Sequence, residues 1–134
     1  MRSFCVSLCL VLLVVGTWAS ASALTQIPFR LHNNHIFVEV QVNESKPLKF
    51  IFDTGAAATV ISEDEADRLS ITHDGFSTVR SSRGPKFVYY SDYNDLTLGE
   101  VALNRIKMVH LPLQHLNKAL DTSVHGIIGQ VVLK

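Results

Sequence analysis

The sequence predicts an all-β domain with one or two short helices, on three observations. Short segments rich in β-branched and aromatic residues recur along the chain, and several of them alternate apolar with polar residues. Clusters of Asn, Asp, Gly and Pro separate these segments at short intervals, as turns do. Helical signals are confined to two brief stretches. The pattern therefore favours a mostly β domain.

The first half of this domain is predicted to contain four strands. Ile27–Leu31 and Ile36–Val42 alternate apolar and polar residues on either side of an Asn-rich turn. Leu48–Phe52 is a short apolar run that ends at Asp53, and β-branched residues resume at Thr59–Ile61. Asp53 is therefore expected in a loop between two buried strands.

A short helix and a hairpin are predicted next. Ser62 and, three residues later, Glu65 form a capping-box signature, in which each side chain bonds a backbone N–H near the helix start. Two β-rich stretches, Phe76–Arg80 and Lys86–Tyr93, then flank the sequence "SSRGP". Gly84-Pro85 is therefore expected at a hairpin tip.

The last third of the chain continues the β pattern. Gly99 marks a turn, Ile106–Leu111 a strand and Leu113–Leu120 a helical turn, and the chain closes on "HGIIGQVVLK". No repeat, low-complexity tract or linker interrupts the sequence. Residues 24–134 are therefore predicted to form one domain.

Residues 1–23 have the features of a secretory signal peptide. Arg2 gives a positive start, Phe4–Gly16 an apolar run, and Ala19–Ala23 the small residues of a cleavage site. A membrane anchor is the alternative, but the apolar run is shorter than the roughly 20 residues that span a bilayer. We expect the mature protein to begin near Leu24, to be secreted or periplasmic, and to have no membrane contact after cleavage.

Composition narrows the class of the mature protein. Cys5 and Cys9, the two cysteines, lie in the signal segment, so a core without disulfides must hold the fold. About 111 residues suffice for one moderate core. Once Arg2 is removed, eleven basic residues stand against twelve acidic ones. This balance does not favour nucleic acid or an anionic membrane as a partner.

Asp53 is the residue whose setting calls for a chemical explanation. An isolated buried carboxylate costs several kcal/mol, so we expect Asp53 to be hydrogen-bonded, paired or partly neutral. Gly55 allows a ligand to approach the backbone closely, and the Thr54 hydroxyl can bond a neighbouring chain or loop. Two such aspartates that meet would share a proton, so that one acts as base on water while the other donates to a substrate carbonyl.

The stretch "FIFDTGAAATVIS", residues 50–62, resembles the active-site segment of aspartic proteases, particularly the single-lobed retropepsin-like form. The family's second signature, two apolar residues and a glycine, is matched by Ile127-Ile128-Gly129, about 75 residues after Asp53. "IPFRLHNNHIFVEVQVN" also resembles the opening of exported bacterial members. The resemblance implies a small closed β-barrel with a ψ-loop, in which Thr78–Tyr90 forms a flap over the cleft.

The resemblance also implies a function, that of an aspartic endopeptidase with no metal and no cofactor. Asp53 from each of two lobes would form the catalytic dyad, Thr54 would link the two loops, and Gly55 would present its carbonyl to a peptide or protein substrate. The second lobe would come from a homodimer or from a second protease lobe. The substrate-binding positions that it implies are Ala56, Ala57, Ser82, Arg83 and Gly84.

Two departures from the family pattern qualify this expectation. Val131 stands where the family usually has Asp or Asn, and after Lys134 there is no room for the helix and strand through which retroviral members dimerise. Either the N-terminal strand near Leu24–Phe29 takes over that role, or the sequence is truncated at its C-terminus. The alternative function is a non-catalytic lobe that binds an extended peptide by strand addition, or packs against a partner protein.

The remaining polar candidates have simpler interpretations. Arg80, Arg83 and Lys86 cluster near the hairpin tip, where a solvated loop is favoured over substrate contact. The histidines lack the spacing of metal ligands, so surface or turn roles are favoured over a metal site. They are His32, His35, His73, His110, His115 and His125.

Overall fold

The computed structural model describes residues 24–81 and 84–133. The predicted signal peptide, Ser82 and Arg83 lie outside these ranges. Within them the all-β class and the two short helices are confirmed. The elements are β1 (Phe29–His32), β2 (His35–Val42), β3 (Leu48–Phe52), β4 (Thr59–Ser62), α1 (Glu63–Arg68), β5 (Gly75–Ser81), β6 (Gly84–Leu98), β7 (Val101–Leu111), α2 (Gln114–Leu120) and β8 (Gly126–Ile128), followed by a 3-10 turn at Gln130–Leu133.

The strands form one sheet that closes on itself as a ring. Its order is β1-β2-β3-β8-β4-β7-β6-β5, and an additional pairing of β2 with β6 closes the ring. β8 lies between β3 and β4, parallel to the first and antiparallel to the second. The sheet therefore brings the strand that precedes Asp53 beside the strand that contains the second signature, as the family resemblance implied.

The Asn-rich turn is confirmed, with strand ends slightly different from those predicted. Asn33 and Asn34 have φ values of 47° and 60°, which is the left-handed region that a two-residue hairpin turn requires. Asparagine tolerates this region better than most residues. His32 and His35 therefore pair across the turn as the last residues of β1 and the first of β2.

Only one of the two hydrogen bonds of the predicted capping box is formed. The Ser62 hydroxyl accepts the Glu65 backbone N–H at 3.2 Å, so Ser62 is the helix cap. The Glu65 carboxylate does not reach back, however, because it pairs with the Arg68 guanidinium. The Ser62 backbone N–H instead donates to the His125 carbonyl at 2.8 Å. No helix in the described part of the chain is long and apolar enough to cross a membrane.

Two apolar clusters pack on the opposite faces of the central strands. Because side chains alternate along a strand, Phe50 and Ile128 join the main core, whereas their neighbours Ile51 and Ile127 face the other way. That second face packs against Leu113, Leu120 and other residues of the α2 segment, and we call it the helix-side core. The loop that starts at Asp53 thus begins where both cores support β3.

The β5–β6 hairpin is confirmed, but its tip differs from the prediction. Gly84 pairs with Ser81 and Pro85 pairs with Arg80, so Gly84-Pro85 lies in the strand β6 and not at the tip. Gly84 has a φ of 103°, a conformation that glycine tolerates and other residues rarely adopt. The second strand of the hairpin continues as one long strand, β6, into the closed sheet.

Candidate active site

The two sequence signatures meet at Asp53. The Asp53 backbone N–H donates to the Ile128 carbonyl at 3.0 Å, which extends the parallel pairing of β3 and β8 by one residue. The chain then turns, and the Ala56 N–H donates to the Asp53 carbonyl at 3.2 Å. Asp53 is therefore fixed at its backbone by the strand that carries the second signature.

The Asp53 carboxylate is oriented by its own loop and is open to solvent. The Gly55 backbone N–H donates to its Oδ1 atom at 2.8 Å. Asp53, Thr54, Gly55 and Ala57 are exposed, and Ala56 is half-buried. The sequence analysis expected Asp53 to be hydrogen-bonded, paired or partly neutral. In the single chain its carboxylate is hydrogen-bonded to one N–H donor and is hydrated by solvent.

The Thr54 hydroxyl has no hydrogen-bond partner among the described residues of one chain, and the side chain is exposed. A hydroxyl beside an exposed carboxylate can still donate to a group outside the chain. The loop Asp53–Ala57 therefore presents a carboxylate, a hydroxyl and peptide groups on one accessible surface.

Gly129 packs against the backbone of this loop. A Cβ atom at Gly129 would collide with the Ala58 carbonyl group and lie 2.8 Å from the Ala56 carbonyl oxygen. The next residue, Gln130, donates its N–H to the same Ala56 oxygen at 2.8 Å. A residue with a side chain would not fit at position 129, because the backbone of Ala56 and Ala58 occupies that space. This explains the glycine at the end of the second signature.

Two supporting residues escaped the sequence analysis. Thr59 is fully buried, and its hydroxyl oxygen lies 3.4 Å from the Gly129 N–H. A Cβ at Gly126 would strike the Phe50 ring and the Val60 carbonyl. Gly126 could have been found from the sequence, because a glycine within an apolar strand often marks a place where another part of the chain packs closely against the backbone.

The hairpin approaches β8, the strand that leads into the second signature glycine. Lys86 from β6 and Ile127 from β8 line one cavity of about 310 Å³, together with residues 111–113, His115 and Leu116. Lys86 lies in the strand β6 and not in a loop, but its side chain is exposed, as the solvated interpretation expects, and it also borders this cavity. Arg83 and Ser82 lie outside the described ranges. Gly84, the other predicted substrate contact on the hairpin, does not line this cavity.

A larger groove lies elsewhere and has no part of the Asp53 loop. It has a volume of about 630 Å³ and runs along β1, β2 and the start of β3, with Thr122 and His125 on its other side. Catalytic chemistry needs a polar group aimed at the reacting atoms. Neither cavity is lined by the Asp53 loop, so the loop itself defines the candidate site, and the smaller cavity is linked to it through Ile127 of β8, which pairs with Ile51 of β3.

His110 is the clearest exception to the predicted surface histidines. Its side chain is 1% exposed, and its Nε2 atom lies 2.9 Å from the Ser91 hydroxyl. Its Nδ1 atom has no partner among the described residues. Burial, reinforced by the ring of His73 at 4.8 Å, lowers the pKa of His110. Within the described ranges no three His, Cys, Asp or Glu side chains form a metal-ligand cluster.

Comparisons with known proteins agree with this geometry. The model of the aspartyl protease family matches residues 38–132, which include both signatures. A solved structure of a retropepsin-like aspartic protease from Rickettsia conorii superposes with a TM-score of 0.58 at 20% sequence identity. The match covers 81% of this chain and 87% of that one, and it shows a shared fold. A search of curated protein sequences finds no match.

Proposed function

The chain belongs to the aspartyl protease family, and from this premise we propose that it is an exported aspartic endopeptidase whose active site is completed by a second copy of the chain. The observation that supports the proposal most directly is the Asp53 carboxylate. It lies exposed on a loop that Gly55, Ile128 and Gly129 hold in place. Export rests on the signal-like features of residues 1–23.

The proposed reaction uses one Asp53 from each copy. Two carboxylates that face each other across a two-fold axis share one proton. The ionised carboxylate takes a proton from a water molecule, which attacks the carbonyl carbon of the peptide bond. The protonated carboxyl donates to the carbonyl oxygen, which gives a tetrahedral gem-diol. The carboxyl that took the water proton then gives it to the leaving nitrogen, the other carboxylate takes a proton back from a gem-diol hydroxyl, and the C–N bond breaks to release the acid and the amine. The loop and its partner loop supply both the acid and the base.

A second copy is the natural source of the second aspartate because the exposed loop continues into an exposed apolar edge. Strand β1 pairs only with β2 among the described strands, and all four of its residues are exposed. Leu31 lies opposite Ile36, which in turn lies opposite Phe52, the residue before Asp53. A two-fold interface that brings the two Asp53 loops together would also cover the Leu31 end of this apolar edge.

The alternative, a non-catalytic peptide-binding lobe, is favoured by one observation. The bond from the Gly55 N–H to Asp53 Oδ1 shapes the loop, so an aspartate is useful here without catalysis. Asparagine at position 53 keeps an acceptor oxygen but cannot act as the base. The substitution Asp53→Asn therefore separates catalysis from loop structure.

The deciding experiment measures cleavage of a mixed peptide library by residues 24–134 over a range of protein concentrations between pH 4 and 7. We expect a rate that rises with the square of concentration at low protein, and no cleavage by Asp53→Asn. Peptide binding by both proteins without cleavage by either would replace the endopeptidase with the binding lobe.

A further inference from the structure

The cavity between the hairpin, the segment from β7 to α2 and the strand β8 is lined mainly by apolar side chains, and Lys86 borders it. Its wall consists mainly of the aliphatic side chains of Leu111, Leu113, Leu116 and Ile127, and its polar members are Lys86 and His115. Its volume of about 310 Å³ is within the range of small-ligand pockets. Ile127 directly precedes Ile128, whose carbonyl fixes the Asp53 N–H. The cavity wall is therefore one residue along β8 from the carbonyl group that fixes Asp53.

The hairpin turns Lys86 toward this cavity. Cross-strand partners share a face of a hairpin, as do residues two apart on one strand. Lys86 lies opposite Val79 and two residues before Val88, which is buried. The intervening residue, Phe87, is 71% exposed and faces the other way. Lys86 is thus on the face of the hairpin that meets the body of the protein.

Lys86 has no internal counter-ion. No carboxylate lines the cavity, and Lys86 makes no ion pair within residues 24–81 and 84–133. Lys107 shows the contrast, because its ammonium lies 3.5 Å from the Asp92 carboxylate and 3.8 Å from the centre of the Tyr90 ring. The Lys86 ammonium is therefore available to a charge outside the chain.

We propose that Lys86 is a specificity-determining residue, which selects peptides that carry a glutamate or aspartate next to the apolar residue bound in this cavity. The inference rests on the proposed function, since it places a peptide in the same cleft. The apolar wall binds the one side chain, and the ammonium at the rim pairs with the carboxylate beside it. An exposed pair of this kind changes affinity by about two- to fivefold and weakens with salt.

The test uses two libraries of labelled decapeptides with phenylalanine fixed at the centre, flanked in one library by glutamates and in the other by lysines. We expect the wild-type protein to cleave the glutamate library at least about twofold faster, and Lys86→Glu to invert the order. Lys118→Glu makes the same charge change at an exposed site on α2 outside the cavity, and should keep the wild-type order. The preference should shrink in 1 M salt, where the screening length is about 3 Å.

Binding to the Asp53→Asn protein, measured by fluorescence anisotropy, separates this inference from the proposed function. A glutamate preference that Lys86→Glu inverts in that background supports the role of Lys86 even if no protein cleaves. Cleavage without a preference, an equal effect of Lys118→Glu, or no binding of either library would overturn the inference. The first two of these three outcomes, with cleavage that still depends on Asp53, would overturn the role of Lys86 and leave the endopeptidase in place.

Discussion

At the scale of single residues, the Asp53 loop is held by close backbone packing at Gly129, where a larger residue would not fit. The backbone at Gly129 packs so closely against the carbonyl groups of Ala56 and Ala58 that there is no space for a Cβ atom. The sequence motif identified Asp53, Gly55 and Gly129 correctly as neighbours. It could not identify Thr59, because a threonine in a β-branched run has no local mark of its hydrogen bond to Gly129.

We predict that Gly129→Ala displaces the loop and abolishes peptide cleavage. Overpacking of a tight contact costs about 1–3 kcal/mol of the free energy of unfolding. Urea denaturation should show a loss of that size. The control is Val131→Ala, two residues further on at a side chain that is 52% exposed, where a change within about 0.5 kcal/mol is expected. Equal stability of Gly129→Ala and wild type would contradict the close contact.

At the scale of elements, the β5–β6 hairpin is joined to the sheet by a buried polar cluster. His110 of β7 bonds Ser91 of β6, and its ring meets that of His73, which precedes β5. Asn94 donates to the same Ser91 oxygen at 3.0 Å. The sequence predicted the hairpin from its β-rich strands and glycine. It did not predict this cluster, since burial of a histidine depends on the long-range pairing of β6 and β7.

The free energy of unfolding should fall as the pH is lowered through the range just below 6.5. The folded pKa of His110 is lowered, chiefly by burial and then by His73, and the nearby Asp67 and Asp74 oppose this shift only in part. Between the ordinary value and the folded pKa, the unfolded chain binds the proton and the folded chain does not. Stability is therefore full above about 6.5 and is lost toward the lower folded pKa.

Urea denaturation at several pH values between 5 and 8 tests this, with His110→Gln as the comparison. Glutamine cannot take up a proton in this range, so its curve should lack the component of the slope that comes from His110. Parallel curves for the two proteins would show that His110 does not account for the pH dependence.

At the scale of the whole molecule, the fold was predictable and the assembly was not. Alternation, turn residues and the two signatures predicted the strands and their class. The closed order of the sheet came from the family resemblance, because local patterns do not determine which distant strands pair. The proposed second copy leaves still less trace in the sequence, since the exposed apolar residues of β1 follow the same alternation as a buried strand.

We predict that Leu31→Lys weakens self-association at least about tenfold without changing the fold of the monomer. Leu31 is 69% exposed on β1, and a charge there would have to be buried when two edges meet. Sedimentation velocity measures the association, and circular dichroism checks the monomer. Phe76→Lys changes a similarly exposed apolar residue on the hairpin and should leave association unchanged. Equal association of Leu31→Lys and wild type would exclude β1 from the interface.

The position of β8 in the sheet sets the order in which the active site is assembled. β8 inserts between β3 and β4, and its pairing of Gly126 with Phe50 joins residues that are 76 positions apart in the chain. Contacts of such long range form late and slowly. While the chain is being synthesised, Asp53 therefore leaves the ribosome long before the strand that fixes it. The nascent chain therefore has no ordered Asp53 loop until Gly126–Gly129 has been synthesised, so under the proposed function it would stay inactive until then and could be exported unfolded.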